Sequence, residues 1–112
     1  KINKFIDINL KNKKTLIGYG APTKASLILK ILKINKRKLK LTIEDNYLKI
    51  NKYLPVTGIS ILPKDYLLKN KPDLILILAW NFKKEIITSL KKIIKRKIIV
   101  IVPLPKLEIR RL

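Results

Sequence analysis

Six consecutive apolar residues, Leu74-Ile75-Leu76-Ile77-Leu78-Ala79, place the tightest limit on the fold. A strand with one wet face alternates apolar and polar side chains. A run that is apolar at every position is buried on both faces, which puts it in the middle of a parallel sheet covered by helices. The flanking segments agree. Lys14–Ile17 reads as a strand, and Ala25, Ile28, Leu29 and Leu32 give a helix from Pro22 to Lys33. Leu39–Ile43 alternates strictly, Ile59–Ile61 is a short strand, and Pro63 is expected to open a brief helix, Lys64–Lys69. Asn81 is expected to cap a helix whose apolar side is Phe82, Ile86, Ile87, Leu90, Ile93 and Ile94. Ile98–Val102 is the last strand, ending at Pro103-Leu104-Pro105. The order β-α-β-β-α-β-α-β with right-handed crossovers predicts an α/β domain of three layers: one parallel sheet, Leu74–Ala79 central, with helices on both faces. Residues 46–58 fit no regular element. Residues 1–13 read as a helical lead-in or linker, and residues 14–112 as the domain.

At 112 residues the chain makes one domain, which buries roughly 65% of its unfolded surface. It has no cysteine and no histidine, so disulfides, thiol nucleophiles, the usual zinc sites and histidine acid–base catalysis are excluded within it. The chain opens on Lys rather than Met inside a helix-like run, as expected of a piece of a longer protein. A formal charge of +20 ordinarily points to nucleic acid or an anionic surface. Here Arg37, Arg96, Arg110 and Arg111 are the only arginines, and the lysines are scattered over every helix and loop with few aromatics among them. Lysine then serves as the default surface residue, and nucleic acid is not the expected partner. No apolar run reaches the roughly 18 residues that span a bilayer and no signal peptide opens the chain, so a cytoplasmic protein without membrane contact is expected.

Ligands of parallel sheets bind beyond the carboxyl ends of the strands, and three candidates fall there. Gly18-Tyr19-Gly20-Ala21-Pro22-Thr23-Lys24 is a strand–turn–helix unit whose glycines allow close approach, whose helix start favours an anion, and whose Lys24 adds a charge for a phosphate. Thr23 replaces the third glycine of the dinucleotide fingerprint, so a purely structural turn stays open beside a ligand-binding one. Asp45, after the second strand, is placed to accept hydrogen bonds from ribose hydroxyls or to bond its own turn backbone. Trp80 either stacks on a base or sugar or plugs the core. Glu85 lies in the first turns of its helix, where the dipole favours a carboxylate even without a ligand.

In chain order, Gly18-Tyr19-Gly20-Ala21 with Lys24, Asp45 with Lys49, Lys52-Tyr53-Leu54-Pro55 with Ile59 and Ile61, Pro72-Asp73, Leu76-Ile77-Leu78-Ala79-Trp80-Asn81 with Glu85-Ile86, and Val102-Pro103 with Pro105 resemble the C-terminal domain of S-adenosylmethionine-dependent sugar C-methyltransferases. The Ala-Trp-Asn-x-x-x-Glu-Ile block is its most specific part. One departure is Pro55-Val56-Thr57-Gly58, where the family often has Pro-Gly-Thr. The resemblance implies a Rossmann-like α/β fold and a nucleotide-linked sugar bound by Gly18, Tyr19, Gly20, Ala21, Lys24, Asp45, Lys49, Tyr53, Trp80, Asn81 and Glu85. It places the methyl donor S-adenosylmethionine, the metal-binding segment and the catalytic groups in an upstream methyltransferase domain. This chain is then left with no catalytic residue, metal ligand or cofactor of its own, and is expected to be inactive alone. A stand-alone Rossmann-like nucleotide-binding module is the alternative, and a basic nucleic-acid-associated protein a more distant one.

Overall fold

A computed structural model describes residues 2–112. One six-stranded sheet with the order β3-β2-β1-β4-β5-β6 is built from β1 (Leu16–Tyr19), β2 (Leu41–Glu44), β3 (Ser60–Pro63), β4 (Leu74–Ile77), β5 (Ile99–Val102) and β6 (Glu108–Arg111). The first five are parallel, and β1 pairs residue for residue with β4, Leu16 opposite Leu74 and Tyr19 opposite Ile77. The apolar run is therefore central, as its composition requires. β6 adds an antiparallel edge, Glu108 opposite Val102 and Arg111 opposite Ile99. This strand is a correction to the all-parallel expectation. Glu-Ile-Arg-Arg has no buried side chain and so shows no apolar period to read.

The period-2 geometry of the strands divides their side chains between two cores. One face buries Leu16, Leu74, Leu76 and Ile101 against Ala25 and Leu29 of α2 (Ala25–Ile31) and Ile6 of α1 (Ile2–Lys11). The other buries Ile17, Tyr19, Ile75, Ile77 and Val100 against Leu67 of α3 (Tyr66–Lys69) and Ile86, Ile87 and Leu90 of α4 (Lys83–Ile93). Helices therefore cover both faces. α1 is tied down by polar contacts as well: Lys38 Nζ lies 3.0 Å from Asp7 Oδ1 and donates to Asn3 Oδ1 at 3.1 Å, while Asn3 Nδ2 donates to the Leu32 carbonyl.

Several boundaries differ from the sequence reading. β1 runs on to Tyr19, which puts Gly18 inside the strand, and α2 begins at Ala25 rather than at Pro22. Pro63 closes β3 instead of opening a helix. β3 is an edge strand, where a missing N–H removes no necessary ladder bond. Asn81 does not cap α4: it sits within a 3₁₀ turn, Trp80–Phe82, that leads into that helix, and no side chain caps either element.

Residues 46–58 stay irregular but anchored. Ser26 Oγ donates to the Pro55 carbonyl at 2.7 Å, and Asn51 N–H to the Ile61 carbonyl at 2.8 Å. Within this segment Val56 has φ of 67°, a left-handed conformation that crowds a β-branched side chain, and that side chain is fully exposed. Val56 follows Pro55 where the resembling family often has glycine. Val56→Gly is expected to raise stability by about 1 kcal/mol, because relief of the backbone strain exceeds the extra freedom gained by the unfolded chain. Urea unfolding checks this, and a drop in the midpoint would refute it.

Candidate functional site

The strand order turns back on itself between β1 and β4, and beyond the carboxyl ends of the strands the chain leaves a cleft of about 530 Å³. Its floor is the turn after β1. Gly20 has φ of 105°, and a Cβ there would lie 2.5 Å from the Ala79 Cβ and 2.8 Å from the Ala79 nitrogen. Glycine is therefore demanded by the close approach of the β1 and β4 exits. Gly18 faces Thr42, whose Oγ1 would be 2.9 Å from an added Cβ. Thr42, buried on β2, donates from that Oγ1 to the Gly20 carbonyl at 2.7 Å, and Gly20 N–H donates to the Ile43 carbonyl at 2.6 Å. Both backbone groups of Gly20 are satisfied inside the fold, so its N–H is not free to hold a phosphate.

A chain of polar side chains crosses the cleft. The Tyr19 hydroxyl donates to both Asp45 oxygens, at 3.1 and 3.2 Å. Lys64 Nζ, just past β3, lies 3.2 Å from Asp45 Oδ1 and donates to Ser89 Oγ on α4 at 3.0 Å. Burial, then the charge of Asp45, pushes the Tyr19 hydroxyl far above the ordinary tyrosine range, so it remains a donor. Glu44 takes the turn's backbone donors: its Oε2 accepts from Asp45 N–H at 3.0 Å and Asn46 N–H at 2.8 Å. Asp45 is thereby relieved of bonding its own turn, and its carboxylate faces the cleft. On the near side, Lys49 Nζ donates to the Ala21 carbonyl at 2.8 Å.

Of the residues singled out from the sequence, Tyr19, Gly20, Ala21, Asp45, Lys49 and Glu85 line this cleft. Gly18 lies beneath it in the sheet. Lys24 precedes α2, exposed and away from the cleft lining, because the helix starts only at Ala25. Trp80 packs against the α4 core, Asn81 is exposed, and Tyr53 is exposed in an isolated antiparallel bridge to Ser60. Lys64, Ser89, Glu44 and Phe82 line the cleft without having been expected. One of them had a readable signal, since Ser89 stands one helical turn after Glu85. Lys64 reads as helical in the sequence because the third strand is expected to end at Ile61, whereas β3 runs to Pro63. With Glu44, Asp45 and Glu85 against Lys49 and Lys64, the cleft carries a slight acidic excess in a chain of formal charge +20.

Residues 1–105 match the family described as the C-methyltransferase C-terminal domain. The chain belongs to that family. A curated relative of this C-methyltransferase C-terminal domain is the C-methyltransferase NovU of Streptomyces niveus, 36% identical over 93 residues, which cover 83% of this chain and 22% of the relative. The domain thus spans about a fifth of the length of that protein. No helix among the described residues is long and apolar enough to cross a membrane, and no group of three or more His, Cys, Asp or Glu among them is placed to hold a metal ion.

Proposed function

We propose that this domain supplies the wall of a substrate site in a sugar C-methyltransferase, and that its cleft binds a nucleotide-linked deoxysugar. The observation that carries the reading is the Asp45 carboxylate. It stands at the end of β2, is oriented by the Tyr19 hydroxyl and Lys64, and has its turn bonding taken over by Glu44. A carboxylate has about four lone-pair positions, so Asp45 retains capacity to accept from sugar or ribose hydroxyls. Lys64 and Lys49 are the cations within reach of a diphosphate, and they replace Lys24 in that role. The Gly18–Gly20 turn is closed against Thr42 and Ala79 and offers no open cradle for S-adenosylmethionine. In this reading the methyl donor and the groups that move protons lie, as the family resemblance implies, in the part of the enzyme beyond this domain.

The test is a calorimetric titration of a thymidine-diphosphate sugar into wild type, Asp45→Asn, Lys64→Ala, Lys24→Ala and Lys91→Ala at low and moderate salt. Loss of one charge-assisted contact is worth about 1.5–3 kcal/mol, so the first two variants are expected to bind roughly 10- to 150-fold more weakly. Lys24→Ala and Lys91→Ala should stay within about twofold, as expected of exposed cations outside the contact. Equal small losses in all four, with affinity collapsing as salt rises, would instead mark general polyanion attraction driven by counterion release.

A further inference from the structure

At the opposite end of the sheet a second concavity, of about 400 Å³, opens among Lys14, Lys97, Arg111, Ile98, Leu112 and Asp73. Lys14 precedes β1, Lys97 precedes β5, and Arg111 ends β6 opposite Ile99. The three cations thus sit along the amino-terminal edge of the parallel strands, the outer two about 15 Å apart at the usual strand spacing. Among the described residues none of the three takes part in a salt bridge. Asp73, the one acidic side chain lining this pocket, is already engaged: its Oδ2 accepts from Thr15 N–H at 2.8 Å and its Oδ1 from Arg96 Nη2 at 2.8 Å. Unpaired like charges gathered around a concave, partly apolar wall repel one another and focus a positive potential into it.

We infer that this pocket is a second anion site, which takes a small organic polyphosphate. The Arg111 guanidinium offers a planar fork suited to one phosphate, and Lys14 and Lys97 offer mobile point charges to its neighbours. Ile99 and Leu112, both partly exposed, offer apolar surface to the organic part. The pocket's size is that of a small-molecule site, which favours such a ligand over a nucleic-acid backbone lying across an open face. This site is independent of the carboxyl-end cleft and of the function proposed for it.

The experiment titrates pyrophosphate and, separately, ADP into the wild-type chain at about 0.15 M salt, following backbone amide shifts by NMR. Saturable binding of one equivalent is expected, with shifts centred on Lys14, Lys97 and Arg111. Lys97→Glu and Arg111→Ala should each weaken it about tenfold or more, with Lys91→Ala unchanged. Both substitutions fall at exposed positions, and an unchanged thermal melt verifies the fold. Asp45→Asn and Lys64→Ala should leave the shifts at Lys14, Lys97 and Arg111 intact, while the two pocket variants leave intact the shifts that a sugar nucleotide produces at Tyr19, Asp45 and Lys64, so either reading can fail alone. Shifts spread over all surface lysines without saturation, or equal losses in Lys91→Ala, would overturn the second site. A nucleic acid that binds the same three residues more tightly than ADP would overturn the choice of ligand.

Discussion

Gly20→Ala is expected to be the most damaging small substitution in the domain, lowering stability by roughly 2–5 kcal/mol. Two penalties combine. An L-residue at φ of 105° is strained whatever surrounds it, and the new methyl group would sit 2.5 Å from the Ala79 Cβ and 2.8 Å from backbone nitrogen, neither of which is the loose end of a flexible side chain. The other glycines provide an internal scale. Gly18→Ala meets the Thr42 hydroxyl at 2.9 Å without a strained φ, and should cost less. Gly58→Ala keeps a φ of 75° but meets only the bendable Lys36 side chain at 3.3 Å, so it should cost about 1 kcal/mol. Thermal melts should therefore rank Gly20→Ala lowest, with a Tm depressed by roughly 8–40 °C at about 4–8 °C per kcal/mol. A Gly20→Ala variant melting within about 2 °C of wild type would show that β1 and β4 do not approach as closely as described.

The second large effect is expected at the other end of the same strands. The Asp73 carboxylate accepts from Thr15 N–H at 2.8 Å, Thr15 Oγ1 at 3.3 Å and Arg96 Nη2 at 2.8 Å, which joins the starts of β1 and β4 to the link between α4 and β5. Asp73→Ala leaves the Thr15 donor and the guanidinium without this acceptor, and because solvent reaches both it should cost about 1–2 kcal/mol. The effect is also written in pH. Partial burial by itself would raise the carboxyl's pKa, but the Thr15 N–H and the Arg96 charge outweigh it and hold the group below the usual carboxylate range. Since the folded value is depressed, the stabilisation is fully present above the unfolded value near pH 4 and is lost as pH falls through the lower folded value. Unfolding free energies measured from about pH 5 downward should fall more steeply for wild type than for Asp73→Asn. Parallel curves for the two would remove Asp73 from this account.

The layered sheet was legible because its main signal is local: an apolar run of six residues cannot be satisfied at an edge, and Leu74–Ile77 lies beside β1 as that run demands. β6 escaped because its residues are exposed, so no burial pattern marks them. Asp45 could be placed at a strand end from the sequence, yet its partners could not. Lys64 comes from a segment 19 residues later, and it bonds in turn to Ser89, 44 residues beyond Asp45, only once α3 and α4 have packed on the sheet. Lys24 stands before its helix rather than inside it for a related reason. A Pro-Thr-Lys sequence after a glycine reads as a first helical turn, but the chain uses those residues to descend from the Gly20–Ala79 approach before α2 begins at Ala25. The two-to-one packing of Thr42 against Gly18 and Gly20 is the kind of long-range fact that no motif records.

The rims of the sheet have a bearing on how this chain behaves at high concentration. Nearly half of its residues, 47%, are hydrophobic, and an open sheet has two free margins that could template growth by addition of further strands. At one margin β3 ends in Pro63, which has no N–H to offer an incoming strand, and Tyr53 bridges the outer side of Ser60. At the other, β6 presents Glu108, Arg110 and Arg111 within four residues. A second molecule approaching either margin meets a missing donor or a row of charges, so strand-by-strand polymerisation is blocked at both ends while the apolar centre stays enclosed between its helices.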